Sequence, residues 1–311
     1  MRVVVFGSFV VDLMARTPHL PVPGETVKSS FFKMGPGGKG FNQAIAAKKA
    51  GADVHLVTKL GTDSFSRIAL DKLAEEQMST DLVFLSDEHP TGNALIMVDE
   101  GASQNEIVVS PGACECFTYD EVERTRSIMG DSGLLLTQLE TNVDAVEHVI
   151  AIAKETGTMV VLNPAPVQPI PDQLYPLIDI ITPNEVEASI LTGVKVATPD
   201  DAVEASRVFL DRGVKNVVIT LGAQGVLVTD GKTVSHFPNY DVEVLDSTGA
   251  GDAFSGGLVA ALAEGKDLFS AAMFGNVVAN LSVQRLGTSV AMPSREEIDD
   301  FIQRIDRSPV E

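Results

Sequence analysis

Residues 246–257, Asp-Ser-Thr-Gly-Ala-Gly-Asp-Ala-Phe-Ser-Gly-Gly, set three small residues (Gly249, Ala250, Gly251) directly before an aspartate, Asp252. An apolar run at helical spacing follows, with Leu258, Val259, Ala261 and Leu262. Small residues leave backbone N–H groups bare at the start of such a helix. That end carries about half a positive charge and binds anions. A carboxylate beside an anion site is repelled unless it meets a neutral partner. The pattern therefore fits an aspartate that meets a neutral hydroxyl while the amides hold a phosphate. The competing reading is a glycine-rich turn in which Asp252 only caps the helix. At a helix end Asp252 is expected to favour its ionised form.

A second cluster, Gly35-Pro36-Gly37-Gly38-Lys39-Gly40-Phe41-Asn42-Gln43, precedes an alanine-rich helix. It fits the bare G-x-G-x-x-G pattern, but no strong hydrophobic strand is expected to abut it, and Pro36 does not suit a dinucleotide turn. Lys39 is followed by glycine rather than Ser or Thr, which excludes a Walker loop. As a plain turn the cluster would expose Lys39. As a site, Gly37 and Gly38 permit close backbone approach, and Lys39 and Asn42 supply donors.

Other polar residues fall at or after expected strand ends. Asp12 follows the first strand, and one carboxylate accepting two hydroxyl protons suits a vicinal diol. Glu140 follows Leu134–Leu139. Asn184 and Glu187 have capping-box spacing, or they neighbour a phosphate and Mg²⁺. Thr220-Leu221-Gly222-Ala223-Gln224-Gly225 is a tight turn or a glycine floor under a flat base. The five histidines show no metal-ligand spacing. A parallel sheet gathers residues at strand ends along one edge, where ligands bind. Asp12, Gly38, Glu140, Asn184, Thr220 and Asp252 are therefore expected to meet.

The elements that would position them alternate. Val3–Phe6 reads as a buried strand. Residues 92–98 and 105–109 flank a polar turn and read as a hairpin, and Thr26–Phe32 adds a strand. From residue 118 the pattern is helix 119–129, strand 134–136, helix 143–156, strand 159–162, strand 178–181, helix 184–192, helix 200–212 and strand 217–220. A hairpin (225–228, 234–237) and helices 251–264, 267–285 and 294–305 follow, with a tail from Ser308 expected to fray. Strands alternating with helices imply a parallel sheet covered on both faces.

The chain has 311 residues and a formal net charge of −20, from 23 Lys and Arg against 43 Asp and Glu. That balance argues against nucleic acid and anionic membranes as partners. Any phosphate site needs local compensation. Cys114 and Cys116, the two cysteines, point to a reducing compartment. Asp12 interrupts the first apolar run before it could span a membrane. A soluble cytoplasmic protein is expected.

Taken together, Gly37–Ala44 and Asp246–Asp252 resemble the two fingerprints of the PfkB-type carbohydrate kinases, and the similarity is greatest to their ribokinase and deoxyribokinase branch. Leu162–Pro166, Pro183–Glu185, Thr220–Gly222 and Pro23–Thr26 agree in order and spacing. The resemblance covers nearly the whole chain. It implies a ribokinase-like three-layer α/β/α fold with a mostly parallel central sheet. The chain, 1–311, would be one domain with a small β-sheet lid formed by about residues 10–34 and 91–112. The implied reaction moves the γ-phosphoryl group of ATP to a pentose primary hydroxyl, D-ribose first, with 2-deoxyribose or another sugar or nucleoside as alternatives.

By the same resemblance Asp252 is the general base, and Gly249, Ala250 and Gly251 form the anion hole. Asp12, Gly38, Lys39, Asn42 and Glu140 contact the sugar. Asn184, Thr220, Gly222, Gly225 and Asn276 lie at the nucleotide, and Glu187 lies near Mg²⁺. Asp246, Thr248, Val283, Leu286 and Gly287 match a monovalent-cation loop, for K⁺. Separately from the resemblance, an exposed edge of the β-lid invites pairing into a homodimer. One departure is Val10, where pentose kinases of the family often carry a polar residue. Valine cannot bond a sugar hydroxyl, which suits a sugar lacking one there. A sugar-binding protein without catalysis and a Rossmann-type oxidoreductase are the readings from other classes.

Overall fold

The computed structural model describes residues 1–101 and 104–307. β1 (Arg2–Phe6) divides its side chains between two cores: Val3 and Val5 join one cluster, Val4 and Phe6 the other. Burial on both faces is why the run is apolar without alternation. β2 (Val10–Thr17), β3 (Phe31–Gly37), α1 (Lys39–Lys49), β4 (Asp53–Gly61), α2 (Ser66–Glu75) and β5 (Val83–Ser86) follow. Then come β6 (Thr91–Asp99), β7 (Asn105–Gly112), α3 (Tyr119–Glu123), α4 (Arg126–Gly130), β8 (Leu134–Thr137), α5 (Val143–Glu155), β9 (Met159–Leu162) and β10 (Ile180–Ile181). The remainder is α6 (Glu185–Thr192), α7 (Pro199–Asp211), β11 (Asn216–Thr220), β12 (Val226–Thr229), β13 (Val234–Phe237), α8 (Ala250–Ala263), α9 (Leu268–Ser282) and α10 (Arg295–Arg307).

The large sheet has the order β13-β12-β11-β10-β9-β8-β1-β4-β5. It is parallel from β11 to β5, with β12 and β13 as an antiparallel edge. Residues of α1, α8 and α9 line one core and those of α5 and α7 the other, so helices cover both faces. The second sheet has the order β3-β2-β6-β7, and β2 leaves the end of β1 after only three residues. No helix among the described residues is long and apolar enough to cross a membrane.

Several elements differ from expectation. The strand placed at Thr26–Phe32 lies at Phe31–Gly37, running past residue 34 and ending directly before Gly38. A strand therefore does abut the glycine cluster, but it belongs to the small sheet. Pro36 hides it; β3 is an edge strand, where proline is tolerated. Asp12 lies inside β2 rather than after β1. Helix 119–129 is two short helices broken near Thr125, a buried residue whose hydroxyl donates to the Val122 carbonyl at 2.7 Å. Asp252 follows a long loop rather than a strand. Residues 53–86 add β4, α2 and β5 beyond the elements expected. The tail from Ser308 and the tip of the 99–104 turn lie outside the described residues.

One contact decides where the site forms. A Cβ added at Gly256 on α8 would lie 2.4 Å from the Ala46 Cβ and 2.7 Å from the Gln43 carbonyl of α1. The two helices thus touch with only the Ala46 methyl group between them. The first turns of both helices are brought side by side.

Candidate active site

Asp252 is the third residue of α8 and is 8% exposed. Gly249, at φ 78°, turns the chain into the helix. Asn42 Nδ2 donates to Asp252 Oδ2 at 3.0 Å, and Gln43 Nε2 donates to Oδ1 at 2.9 Å. Two adjacent residues of α1 both reach one carboxylate because the helices are so close. Burial pushes the Asp252 carboxyl above the usual carboxylate range, against the pull of Lys39, Gln43 and Asn42. The helix-end effect expected to favour ionisation is outweighed by this loss of water.

Of the three residues expected to form an anion hole, Ala250 has its amide already engaged. The Ala250 amide donates to the Ser247 carbonyl at 3.2 Å, inside the turn. The first helical bond runs from the Ala253 amide to the Gly249 carbonyl at 2.9 Å. Helix geometry leaves the amides of Gly251 and Asp252 without an intrahelical acceptor, and Gly251 is exposed with open space beside it.

The expected sugar contacts converge here. Glu140 Oε2 accepts from the Lys39 backbone amide at 2.9 Å and from Ser8 Oγ at 2.5 Å. Burial, with the charges of Glu140 and Asp252, pushes Asp12 up to about 6, while a Thr288 hydrogen bond pulls it down. A Cβ at Gly37 would lie 2.4 Å from the Asp12 carboxyl, so this backbone approaches the acid closely. Burial works against the Lys39 ammonium, but Asp252, Glu140 and Glu187 together hold its pKa above the usual lysine value. Gly38, next to Lys39, caps the start of α1.

A second group gathers at the ends of β10 and β11, two and three strands along the sheet from β8. Asn184 and Thr220 form a parallel bridge, and the Thr220 amide donates to the Pro183 carbonyl at 3.0 Å. Gly222 and Gly225 bound the tight turn after β11. The Gly222 carbonyl accepts from Asn239 Nδ2 at 2.8 Å, and Asn276 Nδ2 donates to the Pro238 carbonyl at 3.0 Å. Asn184 and Glu187 do form the capping box. Glu187 nonetheless faces the site: burial raises its pKa, Lys39 lowers it and Asp252 raises it. Among the described residues no three acidic, His or Cys side chains converge as a metal cage. Glu187 fits a Mg²⁺ ion held mainly by substrate phosphates and water.

The expected cation loop is tied shut by its own backbone. The Val283 carbonyl accepts from the Leu245 and Asp246 amides at 2.8 and 3.1 Å. Asp246 accepts from the Thr248 and Gly287 amides, both at 2.9 Å. Burial works against the Asp246 carboxylate, but these bonds hold its pKa below the usual value. Leu286 is exposed beside Gly287.

Ser8, Gln43 and Thr288 also reach the site, and no sequence signal marks them as site residues. Gln43 sits in the glycine-cluster motif, yet nothing in a single sequence marks which polar residue of a helix turns inward. Ser8 and Thr288 join acids more than a hundred residues away, a pairing that local spacing cannot reveal.

The model of the pfkB family of carbohydrate kinases matches residues 1–295. The ribokinase of Haemophilus influenzae is 40% identical, over 96% of this chain and 97% of that protein. The deoxyribokinase of Salmonella typhi is 34% identical, over 97% of this chain and 99% of its own. The structure of Arabidopsis thaliana ribokinase complexed with ribose and ATP matches with a TM-score of 0.89 and 30% identity, covering 97% of this chain and 98% of that one. A buried carboxylate held between two helices, a large mostly parallel sheet with a separate smaller sheet, and a family match across nearly the whole length agree: the chain belongs to the pfkB family of carbohydrate kinases.

Proposed function

We propose that the chain transfers the γ-phosphoryl group of ATP to the primary hydroxyl of a pentose, with D-ribose as the first candidate. The observation that carries this is Asp252, held by Asn42 and Gln43 beside Asp12, Glu140 and Lys39. Asp252 takes the hydroxyl proton as the bond to phosphorus forms. The Gly251 amide and Lys39 face the charge that grows on the transferred group. Asp12 accepts from two sugar hydroxyls. Asn184, Thr220, Gly222, Gly225 and Asn276 line the nucleotide side. Mg²⁺ near Glu187 neutralises phosphate charge when bound. The ribokinase of Haemophilus influenzae supports this reading, as does the Arabidopsis ribokinase, whose structure holds ribose and ATP together.

Val10 favours a second reading, 2-deoxyribose. It is 6% exposed and lies two residues before Asp12 on the same strand, hence on the same face. A hydroxyl buried against it without a partner costs about 1–3 kcal/mol. A coupled ATP-consumption assay over ribose, 2-deoxyribose, fructose and adenosine tests both readings. Turnover of a pentose is expected, and Val10→Asn is expected to move the ratio of kcat/KM toward ribose. No turnover on any of these substrates overturns the kinase reading, and an unchanged ratio overturns the role of Val10. Protonation turns one Asp12 oxygen into a donor, so it no longer accepts from two hydroxyls, and KM for the sugar is expected to rise as pH falls through about 6. A monovalent cation ordering the Asp246–Gly287 loops belongs to the same proposal: replacing potassium by choline is expected to lower turnover, and equal rates remove the cation from the mechanism.

The chain, 1–311, is proposed to act as one body in the cytoplasm, its small sheet serving as the lid. Cys114 and Cys116 are both free, which fits a reducing compartment. Phe32, Met34, Leu95 and Val108, each at least half exposed, lie on the lid face opposite Asp12. A second copy of the chain would cover this apolar face symmetrically. Light scattering is expected to give a dimer for the native chain and a monomer for Phe32→Glu; a native monomer at micromolar concentration overturns this.

A further inference from the structure

Behind Asp252 lie three buried side-chain amides. Gln43 Nε2 donates to Asp252 Oδ1 and also to Asn163 Oδ1, each at 2.9 Å. Asn163 Nδ2 donates to the Thr182 backbone carbonyl at 2.8 Å. Gln138 Nε2 donates to Gln43 Oε1 at 2.6 Å. Gln43, Gln138 and Asn163 are 0%, 1% and 8% exposed.

A backbone carbonyl can only accept. It takes the amino group of Asn163, which turns the Asn163 oxygen toward Gln43. Gln43 then has to answer with its own amino group, and the same group meets Asp252. Its oxygen points the other way, to the Gln138 donor. The polarity of the chain is thus set at a main-chain atom and runs one way to the carboxylate. Flipping Gln43 or Asn163 would set oxygen against oxygen and donor against donor, and flipping Gln138 would set oxygen against oxygen, which is costly in a buried network.

We propose that Gln43, Asn163 and Gln138 are positioning residues, a directional amide relay that always presents a donor to the buried side of Asp252. This rests on Asp252 being the base. The relay fixes the carboxylate plane and leaves the Oδ2 side, next to Asn42, for the proton of the substrate. Gly7 belongs to the same device: a Cβ there would lie 2.1 Å from Gln138 Oε1 and displace it. That oxygen has no donor of its own, so nothing competes for the orientation of Gln138.

The test compares pH–rate profiles of the native chain, Gln43→Leu, Asn163→Leu and the double variant. Gln43→Leu is expected to lower kcat about ten- to a hundredfold, the worth of one hydrogen bond to a charged group, with little change in KM. Its acid limb should move to higher pH, since the ionised form has lost a donor. Asn163→Leu should act the same way more weakly. The double variant should be no worse than Gln43→Leu, because Asn163 acts through Gln43. Carbon-13 NMR of aspartate-labelled protein reads the Asp252 titration without turnover, with Asp252→Asn identifying the signal. Its midpoint is expected to rise in Gln43→Leu. An unmoved midpoint together with an unmoved acid limb overturns the relay. Full turnover in Asp252→Asn would instead overturn the base, and the NMR midpoint would still judge the relay alone. If Gln43→Leu does not fold, Gln43→Met and Asn163→Leu carry the same comparison.

Discussion

Asp252→Asn is expected to lower turnover at least about a hundredfold, the lower end of what a positioned general base contributes, while ATP affinity stays near that of the native chain. The substitution keeps the shape and removes the acceptor. Gln43 cannot adapt, since its amino group is fixed toward position 252. Asn42 can, because its Oδ1 is buried and has no donor; by turning over it would accept from the new amide. The variant should therefore fold, and its stability should respond to pH in a defined direction. The folded-state pKa of Asp252 is raised, so ionising it costs folding free energy as pH rises through that value. Asp252→Asn escapes the cost and should melt at or above the native temperature at pH 8, with the gap closing toward pH 5. Near-native turnover, or a variant that melts lower at pH 8 than at pH 5 relative to the native chain, contradicts this account.

Gly256→Val is expected to be destabilising by about 1–3 kcal/mol, the usual cost of overpacking, and to lose most of its activity as well. The added atoms would meet the Ala46 Cβ and the Gln43 carbonyl of α1. Relief requires α1 to move away from α8, which pulls Asn42 and Gln43 off Asp252. Stability and turnover should fall together. Gly130→Ala is the control: a Cβ there has nothing within 4 Å, and chemical denaturation should find it no less stable than the native chain. A stable Gly256→Val variant with native turnover would show that the two helices tolerate a wider spacing.

Parts of this arrangement are legible in the sequence alone. β8 and β9 are buried on both faces, so Leu134–Leu136 and Met159–Leu162 are plain apolar runs. Asn184 and Glu187 carry a capping signature in three residues of spacing, and they cap. The two glycine motifs stand out because small residues are needed where backbones meet. β3 does not stand out, since Gly35-Pro36-Gly37 contradicts strand propensity and only its edge position makes it acceptable. Asp12 sits among apolar neighbours in β2, so its direction depends on a pairing partner rather than on its own segment. The relay is the least accessible part. Gln138 and Asn163 lie 95 and 120 residues from Gln43 in the chain, and three amides carry no periodic pattern.

The Thr288 and Ser289 hydroxyls both donate to the Pro36 carbonyl of β3 at 3.3 Å. Thr288 also touches Asp12, and its loop is pinned at Gly287 to the segment that leads into Gly249. The strand proposed to face the sugar and the turn proposed to face the phosphate are therefore parts of one mechanical linkage. Whatever free energy a bound sugar gives to ordering that turn, a bound nucleotide must return to the sugar in equal measure. In thermodynamic terms the coupling has no direction, whichever substrate binds first, and a Thr288→Val chain should bind the two with affinities closer to independent.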